Sequence, residues 1–536
     1  DLTNVGEIKK SNRECENLLI SSEKWASIAA QWFSFEYPRE ELDEAWKKLL
    51  FNQFHDILGG SLIPEAIDDA MQGYQSIRDS GEYTSRSALG TMANSVNTEG
   101  DGQPVLVFNP LSWKRTDVVE AVIPFSHTLE NISLQDALGN RIPVQIVEKK
   151  AEKGKTIIHC VFIAPEVPPL GYKTFYIQES TSLSEISSSL SARENQLEND
   201  LFQIGINTQN ESLNRFLDKQ NQREILAENS DGNQLIAIKD EGDSEGRFVL
   251  KSDIIGKPPG AEEAIQQVTA IRVMENGPVR AKSRIEKQYQ NSRFSQDVIL
   301  YPGIDRVDFS LYIDWHDIHR MIKIAFPFSL PASIATYDVP YGTSVRPADG
   351  LEYPAQKWVD LSEKEYGVSL MNRGRYAHDV QKSTVRMSIL RSPTHPANNT
   401  DEGIHTLDYA LYPHKGSWNE SWVVQRGEEF NFPLTAVLTG NHSGTMPQEC
   451  SFITVTPEPV LLDVVKKSYD SNQMVLRFYE KMGQTVPATV SFFSDLLAAQ
   501  ETDLLENDQS AIPVLDNRMM FTLQPHEIKT VQVLIK

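Results

Sequence analysis

The sequence predicts a mainly β protein with an α-helical N-terminal segment, in which a three-helix bundle is followed by large antiparallel β-sandwich domains. In residues 1–96, apolar side chains recur at three- and four-residue steps, the spacing of amphipathic helices. After residue 97, short β-rich runs are bounded by proline and asparagine, which is typical of strands joined by turns. A chain of 536 residues with 40% hydrophobic residues is also long enough to bury several cores.

Three helices joined by short breaks are expected to form the N-terminal bundle. The first residues already show helical periodicity, and Tyr37-Pro38 interrupts it because proline disfavours a helical residue before it. We predict a second helix from Glu40 to Leu58. A third helix is predicted from Pro64 to about Met92, since proline suits the first turn of a helix.

Changes in composition divide the chain into four predicted domains. The helical bundle occupies residues 1–96, and a first β-sandwich unit with a serine-dense linker follows at residues 97–195. A large β-sandwich is predicted for residues 196–445, where runs such as Ala281 to Gln288 alternate apolar and polar residues. That length suits about twenty strands on two sheets. Residues 446–536 are expected to form a terminal small β unit.

Charge and cysteine content narrow the class of protein. A net charge of −23 argues against non-specific binding to nucleic acid or to anionic membranes and suits neutral ligands. There is no run of eighteen apolar residues, so no membrane span is expected. Cys15, Cys160 and Cys450 are odd in number and far apart, which predicts no disulfide framework. A reducing compartment is therefore favoured, and we expect a cytoplasmic protein.

The end of the predicted second helix carries the most informative residues for function. Its apolar stripe consists of Leu42, Ala45, Trp46, Leu49, Leu50 and Phe54. At about 100° per residue, His55 projects roughly opposite that stripe, and Asp56 follows it directly. A histidine directed away from its own core suits a metal or substrate site. The alternative is a solvated histidine near a helix C-terminus, where positive charge is favourable, and one His-Asp pair is a weak metal signal.

The sequence around this pair resembles that of a known family. Residues 52–63 read Asn-Gln-Phe-His-Asp-Ile-Leu-Gly-Gly-Ser-Leu-Ile and resemble a signature of the family 38 glycoside hydrolases, the zinc-dependent α-mannosidases. Gly59 replaces the usual proline of that signature and Leu62 its second serine. The resemblance implies that His55 is a ligand of one zinc ion and that Asp56 contacts the sugar.

Further stretches resemble the same family, in the family's order and over nearly the whole chain. One resembles the helix that follows the family's catalytic domain, and the others resemble parts of its C-terminal region. These stretches are Asn12–Glu23, Val105–Trp113, Tyr337–Gly342, Pro354–Asp360, Leu390–Pro393 and Asp408–His414.

A second candidate site lies in the loop of residues 371–379. Gly374 permits a backbone turn, so Arg373, Arg375 and Tyr376 could lie near one another. Guanidinium and phenol groups suit hydrogen bonds with sugar hydroxyls. The alternative is an exposed hairpin loop without a function. In the resembled family, a loop of this kind reaches the rim of the active site, which implies a substrate-binding role for Arg373.

The resemblance also implies what this chain does not contain. A retaining glycosidase needs two carboxyl groups; in the family, both lie with the other metal ligands in an N-terminal α/β domain upstream of the helical bundle. We therefore expect no catalytic residue here, a zinc ion shared with that missing catalytic domain, and no activity of the chain alone.

Two functions remain open from the sequence. In the first, the chain is part of an enzyme that cleaves α-mannosidic bonds by a metal-dependent retaining mechanism. Its expected partners are then a mannose-containing oligosaccharide and the N-terminal catalytic domain, and self-association is a further expectation. In the second, the chain is a stand-alone carbohydrate-binding or scaffold β-sandwich protein without catalysis. The intact His55-Asp56 pair favours the first function, because a binding module has no evident need for it.

Overall fold

The computed structural model describes residues 2–127, 129–152, 155–180, 188–210, 212–240, 262–265, 267–393 and 401–536. It is mainly β with antiparallel sheets and N-terminal helices, which confirms the predicted fold class. The chain forms two compact units. The first unit consists of Asp1–Glu16, Lys47–Ser76 and Ser188–Asn431, and the second consists of Asn17–Trp46, Ile77–Ser187 and Phe432–Lys536. The four domain boundaries stay a prediction, and residues 181–187 of the expected serine-dense linker lie outside the described residues.

The helices begin and end largely where proline and periodicity predict. A break surrounds Tyr37-Pro38, and Pro64 is the first residue of its helix, as expected. The helices are α1 (Gly6–Trp32), α2 (Arg39–Asn52), α3 (His55–Gly59), α4 (Pro64–Ala93) and α5 (Val423–Asn431), with a 3₁₀ turn at Trp418–Glu420.

The predicted second helix from Glu40 to Leu58 is wrong at its C-terminal end. α2 stops at Asn52, and Phe54 takes an extended conformation with ψ of 140° before α3 begins. Two members of the predicted apolar stripe, Leu50 and Phe54, are 61% and 52% exposed. The stripe therefore does not continue to residue 54, and periodicity alone overestimated the length of this helix.

Strands occupy most of the chain after residue 100. The strands before the linker region are β1 (Gln103–Asn109), β2 (Arg115–Phe125), β3 (Asn131–Asp136), β4 (Arg141–Ile142), β5 (Val144–Glu152), β6 (Lys155–Val167) and β7 (Gly171–Ser180). Those of the first unit are β8 (Ser191–Arg193), β9 (Gln196–Glu198), β10 (Phe202–Ile206), β11 (Leu213–Asp218), β12 (Arg223–Glu224), β13 (Gln234–Lys239), β14 (Glu262–Ala264), β15 (Gln267–Asn276), β16 (Ala281–Tyr289), β17 (Ser292–Leu300), β18 (Val307–Trp315), β19 (Arg320–Pro327), β20 (Ile334–Val339), β21 (Gly342–Pro347), β22 (Asp349–Pro354), β23 (Trp358–Ser362), β24 (Tyr366–Asn372), β25 (Ala377–Gln381), β26 (Thr384–Ser392) and β27 (Gly403–Lys415). The remaining strands are β28 (Thr435–Leu438), β29 (Glu449–Ser451), β30 (Ile453–Thr456), β31 (Val460–Lys467), β32 (Met474–Glu480), β33 (Val486–Phe492), β34 (Leu496–Thr502), β35 (Asp508–Ile512), β36 (Val514–Leu515), β37 (Arg518–Leu523) and β38 (Ile528–Ile535).

The first unit contains a large β-sandwich. One sheet has the order β15-β16-β17-β18-β27-β24-β23-β20-β21, and another has the order β14-β13-β19-β26-β25-β22. Phe309 of the former stacks on Tyr409 at 4.9 Å and meets Phe326 of the latter at 5.8 Å. A further sheet, β12-β11-β10-β9-β8, adds Ile204 to the same core. The predicted arrangement in two sheets is thus incomplete, because the N-terminal strands of this region pair among themselves.

The second unit also consists of antiparallel sheets with helices. Their orders are β28-β1-β7-β3-β4 with β29 on β7, β2-β6-β5, β30-β33-β37-β36, and β31-β32-β38-β34-β35. Trp25 of α1 packs edge-on against Phe108 of β1, with ring centroids 5.5 Å apart. The three cysteines of the chain are buried and form no disulfide. Within the described ranges, no helix combines the length and the apolarity needed to cross a membrane.

A buried carboxyl group links α1 to the segment before α2 in the second unit. The hydroxyl of Tyr37 donates a hydrogen bond of 3.4 Å to Oε1 of Glu23. Burial raises the pKa of Glu23 from 4.5 to about 7, although Lys466 and Arg477 oppose the shift. Between these two values the folded state binds more protons than the unfolded state, so stability falls as the pH rises from 4.5 to 7.

We expect Glu23→Gln to stabilise the protein at pH 8, by at most about 1 to 3 kcal/mol, because it removes a buried charge while keeping the shape. The gain should disappear near pH 4.5, where the carboxyl group is already protonated. Scanning calorimetry of both proteins between pH 4.5 and 8 measures the difference.

Glu506→Gln is the matched control, because Glu506 accepts a 2.6 Å contact from Lys466 that helps to lower its pKa despite burial. This variant should lose stability at pH 8. A lower melting temperature of Glu23→Gln than of the parent protein at pH 8 would contradict the prediction.

Candidate functional site

The turn that carries His55 is anchored on its N-terminal side by Asn52. The buried amide of Asn52 donates a 3.1 Å hydrogen bond to the carbonyl of Ala70 in α4. Gly73 makes room for it, because a Cβ at that position would lie 3.1 Å from Nδ2 of Asn52. The hydrogen bond fixes the last residue of α2, and the chain then leaves the helix before His55.

α3 is closed on its C-terminal side by a Schellman motif. The N–H of Ser61 donates to the carbonyl of Asp56 at 3.1 Å, and the N–H of Gly60 donates to that of Ile57 at 3.0 Å. Gly60 adopts φ of 74°, a left-handed conformation that favours glycine. Because the helix has only one turn, this closure lies immediately beside the two candidate residues.

His55 and Asp56 lie together at the surface of this turn. Their side chains are 79% and 55% exposed, and His55 Nε2 lies 3.6 Å from Asp56 Oδ2. The hydroxyl of Ser61 donates to Asp56 Oδ1 at 3.2 Å and orients the carboxylate. The ring of Phe54 lies beside the imidazole, with centroids 4.2 Å apart and planes inclined by 48°. His55 is the first residue of α3 and lies outside α2, and its exposure agrees with the alternative of a solvated histidine. Its role as a metal ligand stays a prediction.

Residues near the N-terminus of the chain contact the backbone of Gly60. The amide of Asn4 donates a 2.6 Å hydrogen bond to the carbonyl of Gly60, and the ammonium of Lys9 donates to the carbonyl of Asn4. Gly60 and the backbone of Asn4 lie so close together that a Cβ on Gly60 would be 2.5 Å from the Asn4 carbonyl oxygen. Lys9 is fully enclosed, and burial lowers its pKa from 10.5 to about 7 against the attraction of Asp401.

Hydrogen bonds also join the first residues of α1 to the β-sandwich. The carboxylate of Asp401 accepts hydrogen bonds from the N–H groups of Val5 at 3.1 Å and of Gly6 at 2.8 Å. The first N–H groups of a helix have no partner within the helix, and Asp401 supplies one here. The guanidinium of Arg375 donates to the carbonyl of Gly6 at 2.9 Å. Both side chains are buried, so residues beside strands β24, β25 and β27 hold the start of α1.

The loop between β24 and β25 differs from the predicted exposed hairpin. Gly374 has φ of 89°, and a Cβ there would lie 2.8 Å from the Cα of Lys10. Arg375 and Tyr376 are buried, and the hydroxyl of Tyr376 accepts a 3.1 Å hydrogen bond from Asn12. These two side chains support α1 and are not available to a sugar, which corrects the expectation that they could join Arg373 in a binding loop.

Arg373 is the partly exposed residue of that loop. Its Nε donates to the carbonyl of Phe430 at 2.6 Å, and its guanidinium lies 4.4 Å above the ring of Phe430. Asp408 lies 3.3 Å from Nη1. The described contacts of Arg373 are thus with these two residues, whereas His55 and Asp56 contact each other. The turn that carries His55 and the loop that carries Arg373 both adjoin the start of α1, where Asn4 binds Gly60 and Arg375 binds Gly6.

Sequence reasoning missed the supporting residues Asn4, Lys9 and Asp401, and it assigned Arg375 to a binding loop instead of to the support of α1. The only local signal was the Gly59-Gly60 pair, which marks a helix end. Asn4 and Gly60 are 56 residues apart, and Gly6 and Asp401 are 395 apart, so no periodic pattern could reveal these pairs.

The donor atoms present do not complete a zinc site. A catalytic zinc takes about three protein ligands and a water molecule. His55 offers one imidazole with the Asp56 carboxylate beside it, and no group of three or more His, Cys, Asp or Glu in the described part of the chain is arranged to hold a metal ion. These residues fit at most a part of a metal site.

Comparison with protein families identifies three parts of the chain. Residues 2–92 match the alpha mannosidase middle domain, residues 197–399 match the glycosyl hydrolases family 38 C-terminal domain, and residues 459–531 match the family's C-terminal beta sandwich domain. Together these ranges cover more than half of the chain. The chain belongs to glycosyl hydrolase family 38.

Proteins named as alpha-mannosidases align with nearly the whole chain. Human alpha-mannosidase 2C1 is 29% identical over 553 residues, which cover 100% of this chain and 49% of that protein. Alpha-mannosidase G of Dictyostelium discoideum is 23% identical over 98% of this chain and 51% of its own length. The chain therefore spans about half the length of these curated relatives. The crystal structure of an alpha-mannosidase from Enterococcus faecalis has the same fold, with a TM-score of 0.85 at 19% identity over 99% of this chain and 67% of that one.

We expect Gly60→Ala to destabilise the protein and to disorder the turn around His55. Two costs add: the left-handed backbone, and the overlap of a Cβ with the carbonyl of Asn4 at 2.5 Å. Gly303→Ala is the control, because Gly303 has φ of 68° but nothing within 4 Å of its Cβ position.

The control should lose about 1 to 2 kcal/mol for the backbone alone, and Gly60→Ala should lose more. Thermal unfolding measures both losses. Equal losses for the two variants would mean that the contact between Asn4 and Gly60 has no energetic weight.

Proposed function

We propose that this chain works as part of an α-mannosidase, a glycosidase that cleaves α-mannosidic bonds with retention. The observation that carries the proposal is the His55-Asp56 pair, which is exposed on a turn whose ends are both anchored by buried hydrogen bonds. Family membership supports the same reaction class. Rigid support for two exposed polar residues is typical of a binding or catalytic surface.

His55 is proposed as one ligand of a zinc ion. Its imidazole is accessible, and the remaining ligands come from outside the residues described here, in the N-terminal catalytic domain that we propose as the chain's partner. A bound zinc ion would supply a Lewis acid that holds neighbouring hydroxyls of a sugar. The chain's own contribution is to hold the imidazole at a fixed position.

Asp56 and Arg373 are proposed as contacts to a mannose-containing oligosaccharide. The Asp56 carboxylate, oriented by Ser61, can accept hydrogen bonds from sugar hydroxyls. Arg373 can donate from the part of its guanidinium that faces away from Phe430. The nucleophile and the acid/base are assigned to the catalytic domain, because two carboxyl groups about 5 to 5.5 Å apart are needed there.

The alternative function is a carbohydrate-binding or scaffold protein without catalysis. It requires no metal ligand and gives the His55-Asp56 pair no role beyond solubility. The two functions therefore differ in what a change of His55 does to metal content and to glycosidase activity.

In the protein that contains both this chain and the catalytic domain, we expect His55→Ala to reduce zinc content and activity together, because one ligand is lost. Asp56→Asn should keep the metal but lower kcat/KM about 10- to 100-fold, the value of a charge-assisted hydrogen bond. The measurements are cleavage of an aryl α-mannoside with and without added zinc, and metal analysis.

Leu49→Ala is the structural control, because Leu49 is fully buried on α2 and its removal leaves a cavity that costs roughly 2 to 5 kcal/mol. It should lower the melting temperature while the folded protein retains its zinc. Normal zinc content and activity in His55→Ala would leave the binding or scaffold function as the better account.

Arg373→Met should raise KM for the mannoside, with a loss of about 10-fold or more in kcat/KM, because the side chain keeps its packing on Phe430 but loses its donors. Arg223→Met is the matched control. Its guanidinium lies 4.5 Å above the ring of Tyr366 and 2.7 Å from Glu363, so it loses a similar contact elsewhere in the same unit. Equal kinetic effects of the two changes would remove Arg373 from the substrate site.

A further inference from the structure

We infer that Asn4 and Lys9 are positioning residues for the His55-Asp56 turn. The inference deepens the proposed function and rests on it for its catalytic consequence. It concerns two side chains that touch neither His55 nor Asp56 and that act through the backbone of Gly60.

α3 packs only weakly by itself. It has a single turn, none of its residues is fully buried, and Ile57 and Leu58 are partly buried. Contacts of the α3 side chains therefore contribute little to the position of His55 and Asp56. Their placement depends on where the chain enters and leaves the turn, at Asn52 and at Gly60.

Asn4 fixes the exit from the turn. Its amide reaches the carbonyl of Gly60 at 2.6 Å, and both residues are buried. A buried carbonyl that loses its donor costs free energy, so the peptide plane of Gly60 is held in one orientation. The same residue carries the left-handed conformation that closes α3. The peptide group between Gly60 and Ser61 thus carries two hydrogen bonds. Its carbonyl accepts the one from Asn4, and its N–H donates the one that closes α3.

Lys9 fixes Asn4 itself. Its ammonium donates to the carbonyl of Asn4, and its Nζ would lie 3.1 Å from a Cβ on Gly60. The charged groups that act on it are Asp401, Arg375 and Arg391. A buried ammonium among two guanidinium groups and one carboxylate is costly as a purely structural element. Because the ammonium binds the Asn4 carbonyl and lies beside Gly60, Lys9 has a function in positioning the turn.

The experiment uses Asn4→Ala and Lys9→Met, with Asn199→Ala as the matched control. Asn199 is also buried in the first unit, and its amide donates a 2.7 Å hydrogen bond to the carbonyl of Tyr301. The control loses this hydrogen bond, and those that its side-chain oxygen accepts from Leu201 and Phe202, far along the chain from the turn. If Asn4→Ala does not fold, Asn4→Ser carries the same test, since its shorter side chain also loses the contact.

The first readout is hydrogen–deuterium exchange of the 536-residue chain. Peptides that cover residues 54–62 should exchange faster in the Asn4 and Lys9 variants, because the amides of Leu58, Gly60 and Ser61 lose their fixed turn. Peptides from β16 and β17 should exchange as in the parent chain. Asn199→Ala should leave residues 54–62 unchanged. Unchanged exchange at residues 54–62 in both test variants would overturn the inference.

The second readout is made on the protein that includes the catalytic domain. We expect kcat for an aryl α-mannoside and zinc affinity each to fall about 10- to 100-fold, as for residues that orient a metal ligand, with a smaller change in KM. Faster exchange with unchanged kcat and zinc affinity in an active enzyme would also overturn the inference. If the parent enzyme neither binds zinc nor cleaves the mannoside, the proposed function fails, and the exchange experiment still decides whether Asn4 and Lys9 position the turn.

Discussion

The hydrogen bond from the Asn4 amide to the Gly60 carbonyl is the contact on which the candidate site depends. It joins the first residues of the chain to the point where the one-turn helix after His55 ends. α3 buries none of its own side chains, so its geometry comes from its two ends. The other end is set by Asn52, whose amide binds the backbone of α4. An exposed pair of polar residues is thereby held between two buried amides.

That contact has a support of its own in the β-sandwich. Asp401 satisfies the first N–H groups of α1, and Arg375 binds the carbonyl of Gly6. Gly374 permits the loop that carries Arg375 to approach Lys10 closely. Connecting segments of the large sandwich thus hold the start of α1, and the start of α1 supports the position of Gly60.

Buried charge accompanies this support. Lys9, Arg375 and Asp401 are all removed from solvent, and burial lowers the pKa of Lys9 to about 7. Buried ion networks contribute little net stability compared with apolar packing, because desolvation offsets the attraction. Their geometric specificity is a better reason for their presence, since a carboxylate and an ammonium can bind only certain backbone groups at certain distances. The exposed Arg373 shows the contrast, because it rests on Phe430 and keeps part of its guanidinium accessible.

The sequence by itself determined the fold class, the break at Tyr37-Pro38, the start of α4 at Pro64 and the glycine that ends the helix after His55. It also marked His55 and Asp56 through their resemblance to a family signature, and Arg373 through the resemblance of its loop. Periodicity and turn residues report on neighbours a few positions apart, and these features depend on such neighbours. Only the tertiary structure decided that α2 stops at Asn52, that Arg375 and Tyr376 are buried, and that Asn4 and Asp401 serve the site. These outcomes depend on hydrogen bonds between residues up to 396 positions apart, which local patterns do not record.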